Sequence, residues 1–179
     1  ILGHSDGFFV IVTATKEYFT AISDARRLLG HCASPEEAHM GLRGLRTLGV
    51  RMQQHQATGL KLAGWFEAQD YVDEVLHPAL PSSPDHDIWK RDFTGAGGLF
   101  SVVFKPETSD KLDQIINSLA HFGIGFSYGG FESLVLPFDP KPIRSATKWD
   151  KGPAVRFYAG LEDQEDLLAD LEHAFNSLS

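Results

Sequence analysis

The sequence predicts an α/β fold in which a sheet has helices packed on one face. From residue 72 onward, short segments rich in β-branched and aromatic residues alternate with segments of helical periodicity. Their order is strand, strand, helix, strand, strand, strand, helix, and such runs favour a layered sheet with helices against it. At 179 residues the chain is long enough to bury a substantial core, as one domain or as one domain with an appendage.

The first third of the chain predicts a strand, a helix and a second, long helix. A glycine-bounded turn at residues 3–7 leads into residues 8–13, which are typical of a buried strand. Residues 16–29 have helical spacing, and Gly30 stands where such a helix would stop. Ser34, followed by Pro35 and Glu37, predicts a helix start with a capping box.

The helix that begins there continues to about residue 66, with apolar residues every three or four positions. It contains several glycines, and each weakens a helix by about 1 kcal/mol relative to alanine. We therefore expect a connector between layers or domains that depends on packing or breaks in two. The glycines are Gly41, Gly44, Gly49, Gly59 and Gly64.

The rest of the chain supplies the sheet and two more helices. Residues 72–77 and 99–104 are predicted strands, and the glycine run 95–98 between them is interpreted as a turn. It leads into a strand rather than a helix, and it lacks the Gly-Lys-Ser/Thr ending of a nucleotide loop. Ser109 or Asp110 is predicted to cap a helix that ends at Gly123. A last helix is predicted from Asp163, with Leu167, Leu168, Leu171, Phe175 and Leu178 on its buried side.

Composition excludes several classes of partner. The formal net charge is −8 and no dense Lys/Arg run is present, which argues against a nucleic-acid or anionic-membrane surface. No apolar run reaches the roughly 20 residues of a membrane span. Cys32 is the only cysteine, which favours a reducing, cytoplasmic compartment. The chain begins at Ile1 without a basic segment before its apolar run, so we expect a fragment without a signal peptide.

Arg156 is the leading candidate for a functional residue. It lies in a short predicted strand, where alternation puts Val155, Phe157 and Ala159 on one face and Arg156 and Tyr158 on the other. An arginine between apolar neighbours needs a partner carboxylate, because burying an unpaired charge is costly. The partner is either an internal acidic side chain or a ligand gripped by two parallel hydrogen bonds. The residues around Arg156 leave both alternatives open.

Other candidate sites are weaker. None of the eight histidines falls in a metal-ligand pattern, so no metal site is predicted. Cys32 beside His31 lacks a supporting acid, which argues against a thiolate nucleophile. Lys148, in a polar loop between Pro142 and Pro153, is more typical of a solvated lysine than of a Schiff-base lysine.

Several motifs together resemble the cysteine/methionine-metabolism family of pyridoxal-phosphate (PLP) enzymes, over nearly the whole chain. Residues 90–93 (KRDF) and Tyr128 resemble the bacterial β-lyases of that family most. The motifs stand in the family's order: residues 3–6 (GHSD), 42–48 (LRGLRTL), 77–78 (HP), 95–101 (GAGGLFS), 127–134 (SYGGFESL) and 156–163 (RFYAGLED).

The resemblance implies the C-terminal portion of a fold-type I enzyme. Residues 1–33 would end the large PLP domain, residues 34–68 would form the connecting helix or helices, and residues 69–179 would form the small domain. In the family the GHSD run follows a lysine that holds the cofactor, so that lysine would lie upstream of Ile1. The chain alone would then be inactive, with no catalytic and no cofactor-binding residue of its own, and PLP would be bound mainly by the missing N-terminal half.

The resemblance assigns Arg156 to the α-carboxylate of an amino-acid substrate, with Ser127 and Tyr128 beside it. Holding that carboxylate fixes the Cα–H bond for proton removal. The implied reaction is β-elimination from cystathionine to homocysteine, pyruvate and ammonia. Tyr128 replaces the tryptophan expected in β-lyases, and Thr58-Gly59 replaces the usual Asn-Ala. The alternatives are therefore a γ-acting relative (cystathionine γ-synthase, cystathionine γ-lyase or methionine γ-lyase) and a non-catalytic binding or assembly domain.

The implied partners are a cystathionine-like amino acid, the N-terminal half of the same enzyme, and further copies of the chain. The resemblance implies a homotetramer built from dimers that share active sites. No nucleic acid and no membrane is expected among the partners.

Overall fold

The computed structural model describes residues 1–8 and 10–178, which fall into two compact units, Ile1–Gly49 and Val50–Ser179. Each unit is described by itself. The domain boundaries at residues 33/34 and 68/69 refer to the whole enzyme and stay a prediction. No helix within the described residues is both long and apolar enough to cross a membrane.

The first unit contains helix α1 (Lys16–Leu28) and helix α2 (Pro35–Leu45). The predicted capping box at the start of α2 is confirmed. The Glu37 amide donates to Ser34 Oγ at 3.1 Å, and the Ser34 amide donates to the Glu37 carboxylate at 2.8 Å. Gly30 has φ +69° just after α1, a left-handed conformation that glycine adopts without strain.

The predicted strand at residues 8–13 is wrong for the residues that the structure describes. Residues 10–13 belong to no strand, and Phe8, Val10 and Val12 are exposed, while Phe9 lies outside the described residues. A strand is stabilised by hydrogen bonds to a neighbouring strand, and no described segment pairs with this one. The apolar pattern is therefore present without the neighbour that would bury it.

The long predicted helix does break in two, because α2 ends at Leu45 and helix α3 runs over Leu48–Glu67. Gly44, near the break, has a packing role within the first unit. A Cβ placed there would lie 2.5 Å from the Ile1 carbonyl oxygen and 2.8 Å from Leu2 Cα. Glycine thus lets the start of the chain approach the backbone of α2 closely.

After α3, the elements of the second unit are, in chain order, β1 (Val72–Leu76), α4 (His86–Asp92), β2 (Leu99–Phe104), α5 (Ser109–Ser118), β3 (Gly123–Ile124), β4 (Leu134–Phe138), β5 (Ala154–Tyr158) and α6 (Gln164–Phe175), with 3₁₀ turns at Pro106–Thr108 and Asn176–Leu178. Its strands form one five-stranded sheet in the order β1-β2-β5-β4-β3. Neighbouring strands are antiparallel except for the parallel pair β3 and β4. The predicted order of strands and helices is confirmed, although helix α4 was not predicted.

One face of the sheet packs on the helices and forms the main core. Phe66 of α3 is fully buried at its centre, with its ring near those of Phe100, Phe104, Phe157 and Phe175. The predicted alternation along β5 is confirmed, because Val155 and Phe157 of the strand and Ala159 just after it all belong to this core.

The opposite face of the sheet is only partly covered. A small cluster of Val103, Trp149 and Ala154 covers the end where β5 begins, and Trp149 Nε1 donates to the Gly152 carbonyl at 3.2 Å. Arg156 and Tyr158 follow Ala154 on the same face of β5. The loop that bears Trp149 thus covers one end of this face, and Arg156 stands near the middle.

The glycine run 95–98 packs against backbone on two sides. A Cβ on Gly98 would lie 2.3 Å from the Ala159 carbonyl oxygen, and a Cβ on Gly59 would lie 3.0 Å from Gly98 Cα. The Ala96 amide donates to Gln56 Oε1 at 2.8 Å, and the Ala159 amide donates to the Gly98 carbonyl at 2.8 Å. These glycines allow α3 and the end of β5 to lie close together.

Two predicted helix boundaries need correction. The N-cap of α5 is Thr108, which makes no side-chain capping bond, and Ser109 Oγ donates to the Pro106 carbonyl at 2.8 Å because a 3₁₀ turn leads directly into the helix. The helix ends at Ser118, five residues before Gly123. Asp163 caps α6 as predicted, since its side chain accepts from the Glu165 amide at 2.8 Å. Leu168 and Leu178 are only partly buried.

Candidate functional site

Arg156 lies on the central strand of the sheet, paired with Ser101 of β2 and Leu136 of β4. Its side chain is half-buried, and Nη2 donates to backbone carbonyls of the glycine-rich loop, residues 123–133. The distances are 3.3 Å to Gly125 O and 3.4 Å to Ser127 O, with a third, short bond to Phe126 O. The guanidinium also lies over the Phe126 ring, 5.9 Å from its centroid.

No carboxylate within residues 1–8 and 10–178 forms an ion pair with Arg156. The internal salt bridge that the sequence left open is therefore not formed among these residues. Backbone carbonyls carry only partial charge, and the bonds to them use one terminal nitrogen of the guanidinium. The geometry leaves the donors on Nε and Nη1 able to grip a carboxylate.

Ser127 and Tyr128 follow in the same loop, and both are exposed. Ser127 reaches Arg156 through its backbone carbonyl rather than its hydroxyl. Tyr128 is 66% exposed, and its hydroxyl has no hydrogen-bond partner among the described residues. Gly129, with φ +84°, reverses the chain after them in a conformation that favours glycine. The structure thus places all three predicted residues at one loop, and their roles stay predictions.

A buried pair, Tyr158 and His55, lies next to this loop and was not singled out from the sequence. Tyr158 Oη donates to the Gly130 carbonyl at 2.9 Å and lies 3.2 Å from His55 Nε2. His55 Nδ1 lies 3.0 Å from Ala159 O and 3.2 Å from Gly160 O. The signal for His55 was its position on the apolar side of α3, in helical register with Thr58, Gly59 and Leu62.

A second buried network fixes the far end of the loop. Ser133 donates to the Glu162 carboxylate twice, from its amide at 2.7 Å and from Oγ at 2.8 Å. The Gly160 amide donates to Ser133 Oγ at 2.8 Å, and the Leu161 amide donates to Phe131 O at 2.7 Å. Residues of the two motifs 127–134 and 156–163 are therefore bonded directly to each other.

The remaining candidates gain no support. Cys32 is an exposed free thiol, and Lys148 is exposed without a hydrogen-bond or ion-pair partner among the described residues. No group of three or more His, Cys, Asp or Glu side chains in the described part of the chain could hold a metal ion.

We expect the folded protein to lose stability as pH rises from about 10 to about 12. Burial raises the pKa of Tyr71 and of Tyr158 from 10.0 to about 12. The folded protein therefore holds both phenolic protons in a pH range where the unfolded chain releases them, so alkali favours unfolding. Urea unfolding at pH 9, 10.5 and 11.5 measures the decline, and it should be smaller in the double variant Tyr71→Phe/Tyr158→Phe. An equal decline in that variant would contradict the assignment.

Fold and site together define an α/β unit that presents an arginine, with no carboxylate partner among the described residues, beside a glycine-rich loop. The family model described as Cys/Met metabolism PLP-dependent enzyme matches residues 1–176. The chain therefore belongs to this family, as the motifs predicted, and the fold is that of the C-terminal part of a fold-type I enzyme.

Three individual proteins of known name show what the chain is similar to within the family. The chain is 41% identical to the cystathionine beta-lyase of Salmonella typhimurium, over 98% of this chain and 46% of that protein. It is 38% identical to an L-alanine/L-glutamate racemase of Wolbachia pipientis, over 99% of this chain and 45% of that protein. The solved cystathionine gamma synthase of Xanthomonas oryzae in complex with cystathionine is 27% identical with a TM-score of 0.81, over 98% of this chain and 47% of that one. The chain thus spans about half the length of these relatives and corresponds to their C-terminal half.

Proposed function

We propose that the whole protein is a PLP-dependent carbon–sulfur lyase, a cystathionine β-lyase that converts cystathionine to homocysteine, pyruvate and ammonia by β-elimination. In this proposal the present chain supplies the substrate-carboxylate site and is inactive alone. The observation that carries the proposal is the placement of Arg156. It stands half-buried on the central strand, bonded to loop carbonyls and to no carboxylate among the described residues.

In this mechanism Arg156 donates two parallel hydrogen bonds to the α-carboxylate of the substrate, and Ser127 and Tyr128 stand beside it. A carboxylate held by a planar fork cannot rotate freely, so the Cα–H bond keeps one direction. PLP, when bound, supplies the electron sink that stabilises negative charge at Cα. The exposed Tyr128 ring is available to cover the substrate from solvent.

The lysine and the phosphate contacts that hold PLP belong, in this proposal, to the N-terminal half. Lys148 does not fit as the cofactor lysine, because an amine that reacts near neutral pH needs a desolvated pocket and this side chain is exposed. The chain's own residues fit the carboxylate end of the substrate better than the cofactor.

An exposed apolar surface on the first unit supports the proposal that the N-terminal half of the whole protein packs against this chain. Its apolar side chains line a cavity of about 880 Å³ and remain exposed. Large exposed apolar surfaces mark places where another element packs. The N-terminal half that the relatives have in addition is the proposed cover. The exposed large apolar side chains that line the cavity are Phe8, Val10, Val12, Phe19, Ile22 and Leu29.

A γ-acting relative is the second candidate, and two observations favour it. The chain's fold matches that of the cystathionine gamma synthase of Xanthomonas oryzae, and Tyr128 stands where the resemblance expects tryptophan in β-lyases. The Wolbachia racemase shows that family membership alone leaves the reaction open. The non-catalytic alternative predicts no turnover at all.

Product analysis of the full-length protein separates these candidates. With L-cystathionine and PLP we expect pyruvate and homocysteine in equal amounts, and no product from the 179-residue chain alone. Lactate dehydrogenase coupled to NADH consumption detects the keto acid, and chromatography distinguishes pyruvate from 2-oxobutanoate. 2-Oxobutanoate with cysteine would overturn β-elimination in favour of the γ-acting reading. No keto acid at all would exclude both eliminations from cystathionine and leave a γ-synthase, a racemase or the non-catalytic domain.

Assembly and location are part of the same proposal. The resemblance supports a homotetramer built from dimers that share active sites. The single cysteine, Cys32, supports a cytoplasmic location, since the sequence cannot form an internal disulfide.

A further inference from the structure

Tyr158 and His55 are both buried, each 3% exposed, and the proposed reaction gives neither of them a role. Tyr158 follows Arg156 by two residues on β5, so both side chains extend from the same face of the sheet. His55 comes from α3 and reaches the end of β5. A polar pair kept away from water must be hydrogen-bonded, and here its partners belong to the loop beside Arg156 and to the end of β5.

The glycine-rich loop is held at several points and exposed between them. At its start the Gly125 amide donates to Val135 O at 3.2 Å, and at its end Phe131 O accepts from the Leu161 amide at 2.7 Å. The residues between these points, Phe126 to Gly129, are exposed. Arg156 holds the first half of this stretch through carbonyls 125–127, and Tyr158 holds the second half through Gly130 O.

His55 contacts the side chain of Tyr158 and restrains it. The two rings lie 5.4 Å apart and are tilted by 42°, with the phenolic oxygen 3.2 Å from Nε2. His55 Nδ1 is in turn within 3.0 Å of Ala159 O, the residue after Tyr158. The phenol therefore has little freedom to leave Gly130, and a displacement of Gly130 would move the carbonyls that hold the guanidinium.

We propose that Tyr158, held in place by His55, is a positioning residue for the substrate carboxylate. By fixing Gly130 it fixes the loop whose carbonyls orient Arg156, so it acts on the affinity for the carboxylate through Arg156. The inference rests on the proposed function, because it assigns the substrate carboxylate to Arg156.

Tyr158→Phe in the full-length enzyme tests this inference, since it removes the donor oxygen and keeps the ring. We expect the KM for cystathionine to rise about threefold to tenfold, the range of one lost hydrogen bond, with kcat changed less than about twofold. Tyr71→Phe is the matched control. Tyr71 is also buried in the second unit, and its hydroxyl makes no hydrogen bond to the loop, so its KM should equal that of the wild type.

Hydrogen exchange followed by mass spectrometry gives a readout that does not depend on turnover. In Tyr158→Phe we expect faster exchange in peptides covering residues 123–134, with unchanged exchange in α5. Tyr71→Phe should leave the exchange of residues 123–134 unchanged. A purely structural role of Tyr158 would instead speed exchange across the whole second unit.

Two results would overturn the inference: a wild-type KM in Tyr158→Phe, or exchange that rises equally in the loop and in α5. Failure of the proposed function would look different. In that case the wild-type protein itself would form no pyruvate from cystathionine, while the exchange experiment would still report whether Tyr158 holds the loop.

Discussion

Replacing Arg156 with alanine in the full-length enzyme should raise the KM for cystathionine about a hundredfold to a thousandfold, as expected for truncating one partner of a close charge pair. The unfolding temperature should change little. The side chain is half-buried and bonds only to loop carbonyls, so its removal leaves no buried carboxylate unpaired among the described residues. Steady-state kinetics and a thermal melt measure the two effects on one preparation.

Two further variants make this result specific. Arg156→Lys keeps the charge and loses the planar fork, so its KM should lie between those of the wild type and the alanine variant. Arg91→Ala removes an exposed arginine that pairs with the adjacent Asp92 at 2.7 Å, and its KM should equal that of the wild type. An unchanged KM in Arg156→Ala would remove Arg156 from the site.

Gly98→Ala should cost about 3 kcal/mol of unfolding free energy, at the upper end of the range for overpacking a core. The added Cβ would lie 2.3 Å from the Ala159 carbonyl oxygen and 3.2 Å from its carbon. Both atoms are backbone and cannot rotate away. The hydrogen bond from the Ala159 amide to Gly98 O would also lengthen. Denaturant unfolding of the full-length protein measures the loss.

Gly64→Ala is the matched control for Gly98→Ala. Gly64 lies inside α3, and a Cβ there meets nothing within 4 Å outside its own helix. Alanine should therefore stabilise the protein by about 0.5–1 kcal/mol, because glycine is the poorer helix former. If Gly98→Ala proved as stable as Gly64→Ala, the close approach of Gly98 to β5 would not be a constraint on the fold.

Sequence patterns that span only a few residues correctly predicted several local features of the structure. The capping box of Ser34 and Glu37 formed because both partners stand on one helical turn. The alternation along β5 put Arg156 opposite the core because the period of a strand is two. The apolar pattern of residues 8–13 predicted a strand wrongly, because no strand among the described residues lies beside this segment.

Short-range patterns could not predict which side chains pair with each other, because the partners lie far apart in the chain. His55 and Tyr158 are separated by 103 positions, and Ser133 and Glu162 by 29. Nothing near His55 in the sequence indicates that it would reach the end of β5. Helix α4 was also missed, because it is seven residues long and none of its residues is buried. A helix of this kind leaves no apolar periodicity in the sequence.

The sequence by itself determined the family, the order of the elements after residue 72 apart from α4, and the face of β5 on which Arg156 lies, because these follow from motifs and from short-range periodicity. Only the tertiary structure decided that Arg156 is bonded to the carbonyls of residues 125–127 instead of an internal carboxylate of the described chain. The physical reason is that a charged side chain forms hydrogen bonds only with groups that the fold places within about 3 Å of it. The sheet positions Arg156 and the loop positions the carbonyls, so both together set the distance between them.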